Sequence, residues 1–255
     1  MKVAILAGGM QSSISNEREG IPKPMVDIGG KPLLWHIMKY FSEYGMTEFI
    51  ICGGYKVDVI KEYFMDFYIY ESDITVNLQN NTIKVHKKRT EDWKVTIVDT
   101  GLFAAVSQRV RMIEKYIDGD FLVTYGDCLS DINIYSLLKT HYREKKLVTI
   151  AMVKPSGREQ LLPIDADGKL NFNKMSIMKE ERAWINGDCF VFSKNIFNYL
   201  KESYNLEEEL LAKLSDLQQV TMYKHYGFWT AIETMRDLVE AEKLWNSGMA
   251  PWMKN

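Results

Sequence analysis

The sequence predicts an α/β fold in which a mixed, mostly parallel sheet is flanked by helices, with antiparallel hairpin insertions. Two observations lead to this prediction. Short apolar runs, several of them closed by glycine, alternate with longer segments of helical periodicity. Strands that are separated by helices usually pair in parallel through right-handed crossovers. Two further segments have the alternation or the turn residues of hairpins.

The predicted strands are short apolar runs at residues 2–6, 48–52, 121–125 and 147–153. Apolar residues at helical spacing predict helices over residues 31–44, 57–67, 132–145, 194–217 and 235–247. Residues 74–98 alternate apolar and polar side chains, which predicts antiparallel hairpins. Residues 154–192 contain Pro-Ser-Gly and Asp-Gly turn signals, which predict short strands separated by turns.

Glycine follows three of the predicted strands, as Gly8-Gly9, Gly53-Gly54 and Gly126 before Asp127. The carboxyl ends of parallel strands lie at one edge of a sheet, and ligands bind beyond that edge. We therefore expect the three strand ends to converge on one site of the nucleotide-binding type.

Composition excludes several classes of protein but indicates no reaction. The chain has 255 residues, 46% of them hydrophobic, which fits a folded globular chain. A net charge of -2 argues against a nucleic-acid partner. The three cysteines are far apart in sequence, which argues against a zinc site or a disulfide framework and favours a reducing compartment. No apolar run reaches about 18 residues. We expect a cytoplasmic protein without membrane contact.

Three positions have side chains or backbone suited to phosphate chemistry. The backbone at Gly8-Gly9 allows amide groups to approach a phosphate, and Lys23 adds a positive charge after the following loop. A tight turn with a solvated lysine would leave the same residues. Asp127, at a strand end, is suited to hold Mg²⁺ against nucleotide phosphates, although a turn or cap role is the commoner use of such an aspartate. Glu233 is a second acid after an apolar run.

Several strings resemble the bacterial glucose-1-phosphate cytidylyltransferases of the sugar-nucleotide pyrophosphorylase family. In order they are LAGG, PKPM, LWHIMK, WKVTIVDTG, TYGD, ING and APW, and the match runs nearly end to end. The resemblance implies a Rossmann-like core and a Mg²⁺-dependent reaction of CTP with a small phosphorylated acceptor, releasing pyrophosphate. Residues 1–150 are then expected to form the nucleotide-binding core. Residues 151–255 would form the acceptor-binding portion and C-terminal helices of one compact unit.

Family roles follow from the resemblance where residues match. Lys23 and Arg109 would contact the CTP phosphates, and Asp127 and Glu233 would hold Mg²⁺. In the family the second metal ligand is an aspartate, so Glu233 is one methylene longer. The CTP nucleoside would lie against the strand end formed by Leu6, Ala7, Gly8 and Gly9.

The sequence departs from the family at two places. In the glycine-rich loop Ser13 occupies the position of an arginine directed at the triphosphate, and Arg18 is a candidate replacement unless it is only a solvated loop residue. On the acceptor side, a Glu-Lys-Pro string that precedes Ile-Asn-Gly in relatives is replaced by Ser176, Ile177 and Met178. The acid Asp188 is new; it lies two residues after Asn186.

These departures favour an acceptor other than a sugar phosphate. Asp188 could pair with an ammonium group, and Asn186 would lie beside it in the acceptor site. Lys179 and Arg158 are loose candidates for binding the acceptor phosphate or carboxylate, although such residues are more often solvated surface charges. A branch of the family that acts on L-glutamine phosphate, giving CDP-L-glutamine for capsule phosphoramidate synthesis, fits this prediction. The alternatives are a glucose-1-phosphate cytidylyltransferase making CDP-glucose and a catalytically degenerate nucleotide-binding relative.

Two features indicate a homo-oligomer, as in the relatives. They are the hairpin-rich segment 74–98 and the C-terminal aromatic residues Trp245 and Trp252. The apolar WKVTIVDTG stretch is also consistent with pairing of subunits, although core packing would explain it equally. Cys128 and Cys189 directly follow Asp127 and Asp188, and we expect them at the site as small apolar fillers.

Overall fold

In the computed structural model, a seven-stranded sheet forms the centre of the protein. The structure describes residues 1–9, 20–88, 91–154, 184–200 and 206–253. The strand order in the central sheet is β12-β10-β11-β8-β1-β4-β7. Its strands are β1 (Lys2–Ala7), β4 (Glu48–Gly53), β7 (Lys94–Asp99), β8 (Phe121–Tyr125), β10 (Val148–Val153), β11 (Ile185–Phe192) and β12 (Val220–Lys224).

The central sheet is mixed and mostly parallel, as predicted. Strand β1 pairs in parallel with β4 and β8, β4 with β7, and β10 with β12. Only β11 runs antiparallel to its neighbours β8 and β10 among these seven strands. Six strands therefore end at the same edge. Strands β10–β12 of the acceptor-side portion lie in the same sheet as the amino-terminal core.

Six α-helices are described, and most of them match the predicted segments. They are α1 (Leu33–Ser42), α2 (Val57–Tyr70), α3 (Val106–Met112), α4 (Ile134–Glu144), α5 (Ala212–Asp216) and α6 (Met235–Asn246). The prediction of one helix over residues 194–217 is wrong. The described part of that segment is a 3₁₀ turn, Lys194–Asn198, and a π-helical turn, Leu206–Leu211, that continues into α5. Both pieces bury apolar residues in one core cluster, so tertiary packing overrides helical periodicity here.

The structure corrects the prediction for residues 74–98. Strands β5 (Ser72–Asn77) and β6 (Thr82–Lys88) form the predicted hairpin outside the central sheet. Strand β7, however, pairs in parallel with β4 and is an edge strand of the central sheet. A half-buried edge strand shows the same alternation as a hairpin strand, so the pattern could not separate the two.

The turn signals and most of the short strands predicted within residues 154–192 fall at residues 155–183, which lie outside the described residues. The described end of that segment forms the strand β11. Three small two-stranded sheets complete the fold. They pair β2 (Asp27–Ile28) with β3 (Lys31–Pro32), β5 with β6, and β9 (Cys128–Ser130) with β13 (Trp229–Ala231).

The core occupies both faces of the central sheet. Val3 and Ile5 of β1 belong to one buried cluster, whereas Ala4 and Leu6 belong to the other. Burial on both faces explains why β1 is continuously apolar instead of alternating.

Trp252, predicted as an interface residue, lies in the core instead. Its indole is 1% exposed and donates through Nε1 to His36 Nδ1 over 3.3 Å. Among the described residues, no helix combines the length and the apolar character needed to cross a lipid bilayer.

Candidate active site

A cavity of about 500 Å³ opens at the carboxyl ends of β1 and β8. Its size falls within the range of small-molecule sites. Most of its lining comes from three chain segments. They are the end of β1, the end of β8 and the loop between β7 and α3. The predicted residues that line it are Leu6, Ala7, Gly8, Gly9, Lys23, Arg109 and Asp127. The structure thus brings together the nucleotide-side residues that the sequence singled out.

Lys23 and Asp127 form an ion pair at the wall of this cavity. Lys23 Nζ lies 2.9 Å from Asp127 Oδ2, and both side chains are about one-quarter exposed. Lys23 is the first residue of a 3₁₀ turn, Lys23–Met25, and lies between Pro22 and Pro24 in the chain. Because proline fixes its own φ, the turn presents the lysine from a rigid backbone. The pair joins a positive charge and a carboxylate at a position that remains accessible to a ligand.

Gly126 allows the lysine turn to approach the strand ends. Its amide donates to the Leu6 carbonyl over 3.0 Å, which joins the end of β8 to the end of β1. A Cβ at position 126 would lie 3.0 Å from Pro24 Cγ and 3.1 Å from the Leu6 oxygen. A side chain at this position would therefore be tightly packed, and the neighbouring atoms would have to shift by a few tenths of an ångström.

Arg109 lines the cavity and holds the strand ends together. Its guanidinium donates to the carbonyls of Gly8, Gly101 and Leu102 over 2.7, 2.9 and 3.1 Å. It also donates to the Gly53 carbonyl and to Thr100 Oγ1. The residue is only 5% exposed, and this burial lowers its pKa. A Cβ at position 8 would lie 1.9 Å from Arg109 Nη1, so the glycine makes room for the guanidinium.

In this structure Arg109 therefore contacts the loops that surround the cavity, and its predicted contact with the phosphates of CTP stays a prediction. The interactions also show that Gly8 and Gly53, at the ends of β1 and β4, converge on one side chain.

The loop after β7 forms a wall of the cavity that sequence reasoning missed. Residues 102–106 line it, namely Leu102, Phe103, Ala104, Ala105 and Val106. The sequence carries one signal for this wall, because Gly101 comes shortly after β7 as glycine follows the other strands. In the structure, Thr100 and Gly101 accept hydrogen bonds from Arg109. The segment was predicted as a hairpin, so this fourth strand end was not recognised.

The two predicted metal ligands lie on paired segments. Strand β13 pairs with β9, and the Ile232 amide donates to the Asp127 carbonyl over 2.8 Å. Glu233, the next residue, is exposed. Magnesium sites at phosphates commonly use one or two carboxylates, with phosphates and waters completing the shell. Two carboxylates are enough for such a site, and the joint binding of Mg²⁺ by Asp127 and Glu233 stays a prediction; within the described residues no cluster of three acidic, histidine or cysteine side chains could hold a metal by itself.

Cys128 contacts two carboxylates and is more than an apolar filler. Its Sγ lies 3.1 Å from Asp188 Oδ2 and 3.6 Å from Asp127 Oδ1. Burial, with the two carboxylates, raises the pKa of this thiol well above its ordinary value. Burial also raises the pKa of Cys189 to about 12. Both thiols therefore stay protonated near neutral pH. Through its two contacts, Cys128 also connects Asp127 at the cavity wall to Asp188 on the acceptor side.

Asp188 adopts a left-handed backbone, with φ 55°, inside β11. Aspartate and asparagine tolerate this region better than most residues. The Asp188 amide donates to Asn186 Oδ1 over 3.0 Å, and Asn186 Nδ2 donates to Asp188 Oδ1 over 3.3 Å. These mutual bonds fix the two side chains at the bulge, although neither residue lines the main cavity. Glu233 does not line it either.

The remaining predicted site residues lie outside the described residues. They are the loop positions Ser13 and Arg18 and the acceptor-side positions Arg158, Ser176, Ile177, Met178 and Lys179.

Comparisons with known proteins extend over the whole chain. No model of a protein family matches it. The chain is 40% identical over 255 residues to the glucose-1-phosphate cytidylyltransferase of Salmonella typhi, covering 99% of this chain and 98% of that protein. It is 36% identical, over 99% of both chains, to a probable glucose-1-phosphate cytidylyltransferase of Bacillus subtilis.

Solved structures agree on the fold. HddC from Yersinia pseudotuberculosis superimposes with a TM-score of 0.68 at 22% identity, covering 96% of this chain and 99% of that one. The inositol-1-phosphate CTP transferase of T. maritima gives a TM-score of 0.64 at 15% identity, covering 98% and 95%. The identity of 36–40% to the sequence relatives extends over the full length and shows the family as well as the fold. The chain is a nucleotidyltransferase that belongs to the bacterial cytidylyltransferases of the sugar-nucleotide pyrophosphorylase family.

Proposed function

We propose that the protein transfers a cytidylyl group from CTP to glucose 1-phosphate, giving CDP-glucose and pyrophosphate. The observation that carries this proposal is the Lys23–Asp127 pair, which lies at the wall of the cavity beside the Gly8-Gly9 strand end. The acceptor follows the Salmonella typhi and Bacillus subtilis relatives. The sequence reasoning ranked L-glutamine phosphate first, and the relatives support the sugar phosphate better.

The arrangement suits phosphoryl-type transfer, in which positioning and charge neutralisation do most of the catalysis. The Lys23 ammonium would leave Asp127 for the CTP phosphates, and the Gly8-Gly9 backbone would border them. Asp127 and Glu233 would hold Mg²⁺, which when bound would neutralise further phosphate charge. The acceptor phosphate is already anionic near neutral pH, so it can attack the α-phosphorus of CTP without a general base.

A second candidate acceptor, L-glutamine phosphate, is favoured by one specific observation. Asp188 is an additional carboxylate that Cys128 connects to Asp127. A carboxylate placed there would form an ion pair with the α-ammonium of an amino-acid acceptor, whereas glucose 1-phosphate would offer it only hydroxyl groups. The product would be CDP-L-glutamine, the precursor predicted for capsule phosphoramidate synthesis.

An acceptor panel tests both candidates. Pyrophosphate release is measured with CTP and either glucose 1-phosphate or L-glutamine phosphate, with UTP and dTTP replacing CTP as controls. Turnover with glucose 1-phosphate alone supports the main proposal, and turnover with L-glutamine phosphate alone replaces it by the second. If CTP binds measurably but neither acceptor gives pyrophosphate release, the protein would be a degenerate nucleotide-binding relative.

We also propose that the protein forms a homo-oligomer through the β5–β6 hairpin. Ile74, Val76, Ile83 and Val85 share one face because Ile74 pairs with Val85 and Val76 with Ile83. Three of these side chains are 38–57% exposed. A two-stranded hairpin is marginally stable alone, and a second copy would cover this face. Light scattering on Val76→Lys should show a smaller species than the parent protein; an unchanged mass would refute this interface.

A further inference from the structure

Phe103 is the most exposed of the large apolar side chains in the described part of the chain. It is 85% exposed, yet it lines the wall of the active-site cavity. Full exposure of a phenylalanine leaves a large apolar area in water, which burial against a ligand would remove. We propose that Phe103 stacks on the pyrimidine ring of the bound nucleotide. This inference rests on the proposed use of CTP and extends it to the residue that contacts the base.

The lining of the cavity combines a charged pair with an apolar loop. Lys23 and Asp127 form the ion pair, and Leu102, Phe103 and Ala104 belong to the loop. A nucleoside triphosphate has the same division, because its phosphates are charged and its base is flat and uncharged. With the phosphates against Lys23, the apolar loop is the part of the lining suited to the base.

Hydrogen bonds on both sides of Phe103 fix the loop without covering the ring. Arg109 donates to the carbonyls of Gly101 and Leu102 just before it. Just after it, the Ala105 amide donates to Gln108 Oε1 over 2.9 Å at the start of α3. The backbone of residues 101–105 is therefore anchored at both ends while the aromatic ring remains accessible. An anchored, exposed ring loses little freedom when a base stacks on it.

Stacking contributes affinity without selecting the base, since every nucleobase has a π-face. Removing the Phe103 ring should therefore weaken CTP binding without changing how the phosphates are bound. Phe103→Ala should weaken CTP binding about tenfold, at the lower end of the effect of removing one stacking partner. Binding of inorganic tripolyphosphate should not change, because it has no base. Phe103→Tyr and Phe103→Trp should restore CTP affinity.

Calorimetric titration with CTP and with tripolyphosphate tests the proposal. Leu78→Ala is the matched control, because Leu78 is 84% exposed but lies at the turn of the β5–β6 hairpin. Equal CTP affinity of Phe103→Ala and the parent would overturn the stacking role. So would a parallel loss of tripolyphosphate binding, which would indicate a disturbed loop. Failure of the parent protein itself to bind CTP would instead refute the proposed function.

Discussion

Replacing Arg109 by methionine tests whether this residue holds the cavity loops or contacts CTP directly. The substitution keeps much of the apolar stem and removes the guanidinium, which donates to the Gly8, Gly101 and Leu102 carbonyls at 2.7–3.1 Å. Each hydrogen bond to a charged group contributes about 1.5–3 kcal/mol. The buried arginine loses hydration when the protein folds, and this offsets part of the total.

We therefore expect Arg109→Met to lower the free energy of unfolding by about 3 kcal/mol. This figure takes two to three such bonds and subtracts the free energy of hydration that the buried guanidinium loses on folding. For a chain of this size that loss corresponds to a fall in Tm of about 6–12 °C. Urea unfolding of Arg109→Met and of Arg111→Met gives the comparison. Arg111 lies on the same helix and donates to one carbonyl, that of Leu200. Its loss should cost less than about 1.5 kcal/mol, because its side chain is exposed.

A direct contact between Arg109 and CTP would instead leave the stability of Arg109→Met unchanged and remove its activity. If Arg109→Met unfolds at the same urea concentration as the parent but loses CTP affinity, the arginine acts on the phosphates and not on the loops. Arg109→Lys should recover little of the lost stability, because one ammonium cannot span carbonyls that a planar guanidinium reaches from two nitrogens.

Three further predictions follow from the site and the core. Lys23→Met should raise the KM for CTP at least tenfold by removing a charge at the phosphates, whereas an unchanged KM in steady-state assays would exclude that contact. Glu233→Ala should shift the Mg²⁺ dependence of turnover to higher concentration, and an identical metal titration would remove Glu233 from the metal site. Burial lowers the pKa of His36, so the unfolded chain takes up its proton first as pH falls. The parent should lose more stability than His36→Gln between about pH 7 and pH 5, since the unfolded pKa lies near 6.5. Equal losses in urea titrations would contradict this assignment.

The sequence predicted the centre of the fold well because its strands are buried on both faces. Residues 2–6, 48–52 and 121–125 are continuous apolar runs, and such runs closed by glycine have few other interpretations. The prediction failed at β7, where an edge strand and a hairpin strand share one pattern. That error also hid the cavity wall at residues 102–106.

The candidate site was predictable where residue type alone indicates chemistry. Lys23 and Asp127 were singled out separately, and the structure places them 2.9 Å apart. The bonds of Arg109 could not be predicted, because four of its five acceptors are backbone carbonyls, which every residue carries. Their convergence depends on three strand ends meeting in space. The contact of Cys128 with Asp188 also joins residues that are distant in sequence.

Phosphorus NMR of a mixture of protein, CTP, Mg²⁺ and glucose 1-phosphate shows whether the protein joins CMP from CTP to a small phosphorylated acceptor, with Lys23→Met as the control. The triphosphate signals should decline while signals of pyrophosphate and of a nucleotide-linked diphosphate rise together, and the variant should be slower. Unchanged CTP signals with glucose 1-phosphate, and again with L-glutamine phosphate, would exclude this transfer.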